Sequence, residues 1–156
     1  MTDTRHLLLV AHCPSDNTRA LRDAVIRGAS HEDIDNVELR SLAPLDAGPE
    51  DVRWADGIII GTTENFGYMA GRIKDFFERV YYPCLEEKQG MPWALYIRAG
   101  LDGQGTKTAV ERIVTGLRWN PIRETLICRG EFDDAFLDQC EELGMTMAAG
   151  LEAGLF

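Results

Sequence analysis

The chain has 156 residues, 45% apolar, 27% charged and 8% aromatic, with 26 acidic against 16 basic side chains and a net charge of −10. That length suits one domain with a substantial core, spanning 1–156, and is hard to divide into two. The acidic balance argues against nucleic acid or an anionic membrane surface as the main partner and suits a small-molecule enzyme or a carrier that meets basic proteins.

The apolar stretch Leu7 to Ala11 is too short for a signal-peptide core or a membrane span, so a cytoplasmic protein is expected. His6 to His12 reads as a strand buried on both faces. Asn17 is a good helix cap, Leu21 and Val25 follow at helical spacing, and Gly28 to Ser30 supplies a stop. Asn36 to Leu42 alternates as a half-buried or edge strand, and Gly48-Pro49-Glu50-Asp51 opens a helical turn ending near Ala55. Gly57 to Thr62, with Ile58, Ile59 and Ile60 in a row, is the clearest central strand.

A loop from Thr63 to Tyr68 leads to an amphipathic helix marked by Met69, Ile73, Phe76, Phe77 and Val80, which Pro83 is expected to terminate. Trp93 to Ala99 is the fourth strand. A loop from Gly100 to Gly105 precedes a helix with Val110, Ile113, Val114 and Leu117 on one face. Ile122 to Cys128 is the fifth strand, and the last helix carries Phe136, Cys140, Leu143 and Met147. Alternating strands and helices predict a parallel sheet covered on both faces, in the order 2-1-3-4-5. The cysteines Cys13, Cys84, Cys128 and Cys140 form no CxxC pair and show no metal-type spacing with the histidines, so reduced thiols and no metal site are expected.

In that order the loops after strands one, three and four meet at one edge, where such sheets bind ligands. The first, His12-Cys13-Pro14-Ser15-Asp16-Asn17-Thr18, places hydroxyls and backbone N–H groups at a helix N-terminus and suits a phosphate; helix capping alone explains the same residues. The second, Thr62 to Met69, holds Phe66 and Tyr68 beside Gly67, and aromatics there can stack on a flat ring unless Phe66 packs under the next helix. The third, Ala99 to Thr106, has three glycines that let backbone approach a ligand or simply form a mobile connector.

Ala55-Asp56-Gly57-Ile58-Ile59-Ile60-Gly61-Thr62 followed by Asn65-Phe66-Gly67-Tyr68-Met69-Ala70-Gly71-Arg72-Ile73-Lys74-Asp75-Phe76-Phe77 resembles the flavodoxin-like flavoproteins, within them the FMN-dependent NAD(P)H:quinone oxidoreductases and FMN reductases. Ser15-Asp16-Asn17-Thr18 is similar to the flavodoxin phosphate loop. The resemblance implies a flavodoxin-like three-layer sandwich with a five-stranded parallel sheet. It implies FMN, with Ser15, Asn17 and Thr18 on its phosphate, Thr63, Glu64, Asn65, Phe66, Gly67 and Tyr68 along its ring, and Ala99, Gly100 and Gly103 offering backbone to the pyrimidine edge. It also implies NADH or NADPH as co-substrate, a quinone or similar small molecule as electron acceptor, and no catalytic side chain, since the flavin carries the chemistry. Relatives of this kind include homo-oligomers, and a flavodoxin-type one-electron carrier is the alternative.

Two departures stand out. Asp16 replaces a usual glycine and Glu64 an uncharged residue, so each places negative charge near the expected cofactor unless it points to solvent. Arg19, three residues on, is placed to neutralise Asp16. Glu64 and Asp102 near the ring would lower its redox potential. Cys13 and Arg19 also have the CX5R spacing of low-molecular-weight tyrosine phosphatases, although Pro14 and Asp16 occupy the cradle and no Asp-Pro dipeptide supplies an acid. A cofactor-free binding module is the third reading.

Overall fold

A computed structural model describes residues 3–156. In chain order the elements are β1 (Arg5–Ala11), α1 (Asp16–Ala29), β2 (Val37–Leu42), a 3-10 turn (Pro44–Asp46), α2 (Pro49–Trp54), β3 (Gly57–Asn65), β4 (Tyr68–Met69), α3 (Gly71–Cys84), β5 (Pro92–Ala99), α4 (Gln104–Leu117), β6 (Asn120–Pro121), β7 (Leu126–Arg129) and α5 (Ala135–Ala153). The sheet runs β2-β1-β3-β5, and its next position is shared by β6 and β7, both parallel to β5. The expected order of five positions is therefore present, with the last one broken in two. Pro121 has no N–H to continue the ladder, and an edge strand has no second neighbour to hold it straight.

Residues Leu7 to Val10 and Ile58 to Ile60 are fully buried because β1 and β3 are central and covered on both faces. Successive side chains alternate between two cores. Leu8, Val10, Ile58 and Ile60 meet Ile73, Phe76 and Val110 on the α2–α3–α4 side. Leu7, Leu9 and Ile59 meet Leu21, Val25, Leu143 and Met147 under α1 and α5.

Two expected punctuation marks fall elsewhere. Asn17, expected as the cap, lies inside α1, whose N-cap is Ser15, whereas the stop expected at Gly28 to Ser30 is present. The helix ends at Ala29 with Ser30 as its C-cap, and a Cβ at Gly28 would overlap the Glu141 carbonyl of α5. Gly144 faces the Val25 carbonyl in the same way, so both glycines also serve close contact between α1 and α5. Pro83 is carried inside the last turn of α3, where it deprives only the Arg79 carbonyl of a donor, and the helix ends one residue later.

Candidate functional site

The carboxyl ends of β1, β3 and β5 are neighbours, and the segments leaving them form one edge of the molecule. At the first, Ser15 caps α1 in a reciprocal box. Ser15 Oγ accepts the Thr18 N–H at 3.2 Å and Thr18 Oγ1 accepts the Ser15 N–H at 3.0 Å. Thr18 is buried and its hydroxyl also donates to the Ser15 carbonyl at 2.9 Å, so it supports the cap and holds no donor for a ligand. Ser15 and Asn17 are exposed. The N–H groups of Asp16 and Asn17, the first two of α1, have no intrahelical acceptor and remain available to an anion with the helix dipole behind them. The Asp16 side chain is 97% exposed and paired with Arg19, so its charge is met outside the loop.

The second segment is a hairpin, where the sequence suggested an open loop. β3 continues to Asn65 and returns as β4, pairing Glu64 with Met69 and Asn65 with Tyr68. Phe66 at φ 53° and Gly67 at φ 72° fill the two turn positions. Both positive values match the I′ turn that suits the twist of a hairpin. Glycine accepts that conformation freely; a bulky side chain held there costs roughly 1–3 kcal/mol. The Phe66 ring is fully exposed, so it does not pack under α3, and Tyr68 is 41% exposed beside it. Thr63 Oγ1 donates to Asn65 Oδ1 at 2.8 Å, and Thr62 Oγ1 accepts the Ala70 N–H at 3.0 Å where α3 lacks a capping side chain.

Glu64 ties this hairpin to the third segment. Its Oε1 accepts the Leu101 N–H and its Oε2 the Gly103 N–H, each at 2.8 Å. Unlike Asp16, Glu64 thus turns inward, and its charge is shared with two backbone donors. Gly103, left-handed at φ 69° and N-cap of α4, already has its N–H engaged in this way. The Ala99 carbonyl accepts the Gly130 N–H at 2.9 Å, and Gly100 is exposed. A Cβ at Gly105 would overlap the Gly67 carbonyl, so only glycine lets the hairpin tip rest on the first turn of α4. Thr62, Leu101 and Gly105 were not singled out by sequence; for Gly105 the only signal was its place in a glycine-rich loop.

The donor set fits an FMN phosphate at the start of α1, and the exposed rings of Phe66 and Tyr68 fit a flat apolar ring. On the third segment fewer backbone donors are free than the resemblance implies. The CX5R geometry is not formed: Arg19 is turned to Asp16, and burial pushes the half-buried Cys13 thiol up against the opposing influence of Arg22. The other three cysteines are buried and all four are free thiols. Among the described residues there is no cluster of three metal-ligating side chains, and no helix is long and apolar enough to cross a membrane.

No family model matches the chain. A flavodoxin of Aquifex aeolicus (strain VF5) is 29% identical over 111 residues, which cover 71% of this chain and 59% of that protein. Among solved structures, a flavodoxin from the domain Archaea superposes with a TM-score of 0.80 at 18% identity, covering 94% of this chain and 98% of that one. Two-electron reduced flavodoxin of Megasphaera elsdenii gives a TM-score of 0.76 at 20% identity, covering 92% and 98% of the two chains. A flavodoxin, WrbA-like protein from Agrobacterium tumefaciens gives 0.74 at 15% identity, covering 97% and 99%. The fold is flavodoxin-like, with a parallel sheet between two helical layers.

Proposed function

We propose that the chain binds FMN at this edge and uses NADH or NADPH to reduce a quinone or a similar small acceptor. The observation that carries the reading is Phe66, a large ring held fully exposed at a strained hairpin tip on the same edge as the open N-terminus of α1. Neither feature adds to the core, and together they match a flat ring linked to a phosphate. When bound, FMN supplies two-electron exchange between a nicotinamide and an acceptor. In this reading the Asp16 and Asn17 N–H groups and the Ser15 hydroxyl hold its phosphate. Phe66 and Tyr68 lie along its ring, while Thr63, Asn65 and Gly67 keep the hairpin in shape. Glu64 closes the third segment and places a negative charge that lowers the potential.

A second reading, a one-electron carrier, is favoured by the likeness to the Aquifex aeolicus flavodoxin and by the net charge of −10, which suits docking on a basic partner. The test is the visible spectrum of the purified protein before and after adding FMN and desalting, followed by NADH or NADPH and then a quinone. Retained flavin absorption that bleaches with a nicotinamide and returns with quinone is the expected result. Retained flavin that no nicotinamide bleaches turns the assignment to the carrier, and a protein that stays colourless turns it to a cofactor-free binding module. The same preparation, run on a sizing column, tests the homo-oligomer that the resemblance allows.

A further inference from the structure

A recess of about 440 Å³ opens at the carboxyl ends of β1 and β2. Its walls are His12 to Pro14 and Ser41 to Leu45, with Arg22 of α1 and Arg72 of α3 reaching it from opposite faces of the sheet. None of the residues expected to hold FMN lines it.

The charge of this recess runs against that of the chain. The protein carries 26 acidic side chains against 16 basic ones, yet the recess is lined by two guanidiniums and no carboxylate. Arg22 is half-buried, pairs through Nε with Asp23 at 3.0 Å and lies beside the Cys13 thiol, and its terminal nitrogens make no ion pair. Arg72 is exposed and has no acidic partner among the described residues. Burial, and then the nearby Arg72, lower the His12 pKa, so at neutral pH the positive charge comes from the two arginines. One stretch of the wall, Leu42, Pro44 and Leu45, is apolar, the last 53% exposed at the rim, while Ser41 and Cys13 add polar surface. A pair of planar, permanently charged donor forks beside an apolar wall recognises an anionic head on an apolar body.

We propose that this recess binds a small organic anion, its phosphate-ester or carboxylate head held between Arg22 and Arg72 and its apolar body against Leu42, Pro44 and Leu45. The recess shares the first part of the β1–α1 loop, His12 to Pro14, but none of the side chains or N–H groups assigned to FMN, so it stands whether or not flavin binds.

The test is a titration of the full-length 15N-labelled protein with phenyl phosphate and with benzoate, using phenol as a neutral ring of the same size. Saturable amide shifts at His12, Arg22, Leu45 and Arg72 are expected with at least one of the anions, and which one binds names the head group. Arg72→Gln should weaken binding at least tenfold, whereas Arg112→Gln, an exposed arginine on α4, should not. Because Arg72 is exposed, its replacement leaves the fold intact and carries the test even if Arg22→Gln disturbs α1. Absence of saturation with both anions, equal binding of phenol, or indifference to Arg72→Gln would overturn the proposal. Displacement of the probe by FMN, with the shifts moving to Ser15 through Thr18, would also overturn it by assigning the recess to the flavin edge. A colourless protein that binds the probe would separate this site from the flavin reading.

Discussion

The α1–α5 seam and the edge where the Phe66 hairpin meets α4 use glycine in the same geometric way. At the seam, Gly28 and Gly144 let two helix backbones touch; at the edge, Gly105 lets the tip of the hairpin lie on a helix start. What surrounds them differs. The seam is sealed by Leu21, Val25, Cys140, Leu143 and Met147, all fully buried, and tolerates no displacement without opening a core. The edge is held by hydrogen bonds from Glu64 and carries the exposed ring of Phe66. Burial locks the first contact, whereas a few polar bonds hold the second, which a ligand can therefore rearrange. Stability and ligand response are thereby housed in separate parts of one small sheet.

Replacing the two glycines measures that contrast. Gly28→Ala forces a methyl group into the Glu141 carbonyl and is expected to remove about 3 kcal/mol. For a chain of this size that is a fall of roughly 6–12 °C in the thermal midpoint, read by calorimetry. Gly105→Ala creates the same overlap with Gly67, but the hairpin can lift into solvent, so the loss is expected nearer 1 kcal/mol. Its main effect should be weaker FMN retention on desalting. Equal losses of stability at the two sites would sink the distinction between them.

Glu64→Gln sharpens the account of the edge. The amide keeps an acceptor for one of the two N–H groups but presents its own donors to the other. Faster hydrogen exchange at Leu101 and Gly103 is expected. With FMN bound, removal of a charge worth about 1 kcal/mol should raise the potential by roughly 20 mV for a two-electron couple. Unchanged exchange at both amides would show that Glu64 does not hold the third segment.

The smallest effect expected is at His12, whose folded pKa is lowered from 6.5 by burial and by Arg72. Below pH 6.5 the unfolded chain takes this proton before the folded one does. Stability therefore falls as pH drops from 6.5 towards the folded pKa and gains nothing from His12 above 6.5. His12→Gln should remove that part of the slope in denaturant midpoints measured across this range.

Much of the frame was legible because it depends on local chemistry. The run Ile58-Ile59-Ile60 and the apolar stretch from Leu7 mark strands covered on both faces, and the helical spacing of Ile73, Phe76, Phe77 and Val80 marks α3. The hairpin was not legible, since Phe66 is a poor residue for a left-handed turn and only pairing with β4 holds it there. The clasp was not legible either, because the partners of Glu64 are backbone N–H groups, which every residue but proline possesses. The contact role of Gly28 was not legible, because its partner, the backbone of α5, lies far along the chain.

By itself, then, the sequence determined the order of strands and helices, the parallel sheet and the three segments that meet at its carboxyl edge, through apolar periodicity and the punctuation of loops. Only the tertiary structure decided that Phe66 is exposed, that Asp16 turns out and Glu64 turns in, and that Arg22 and Arg72 face one recess. Periodicity acts between neighbours in sequence. The direction of a side chain and the company it keeps depend on groups that become neighbours only when the sheet closes.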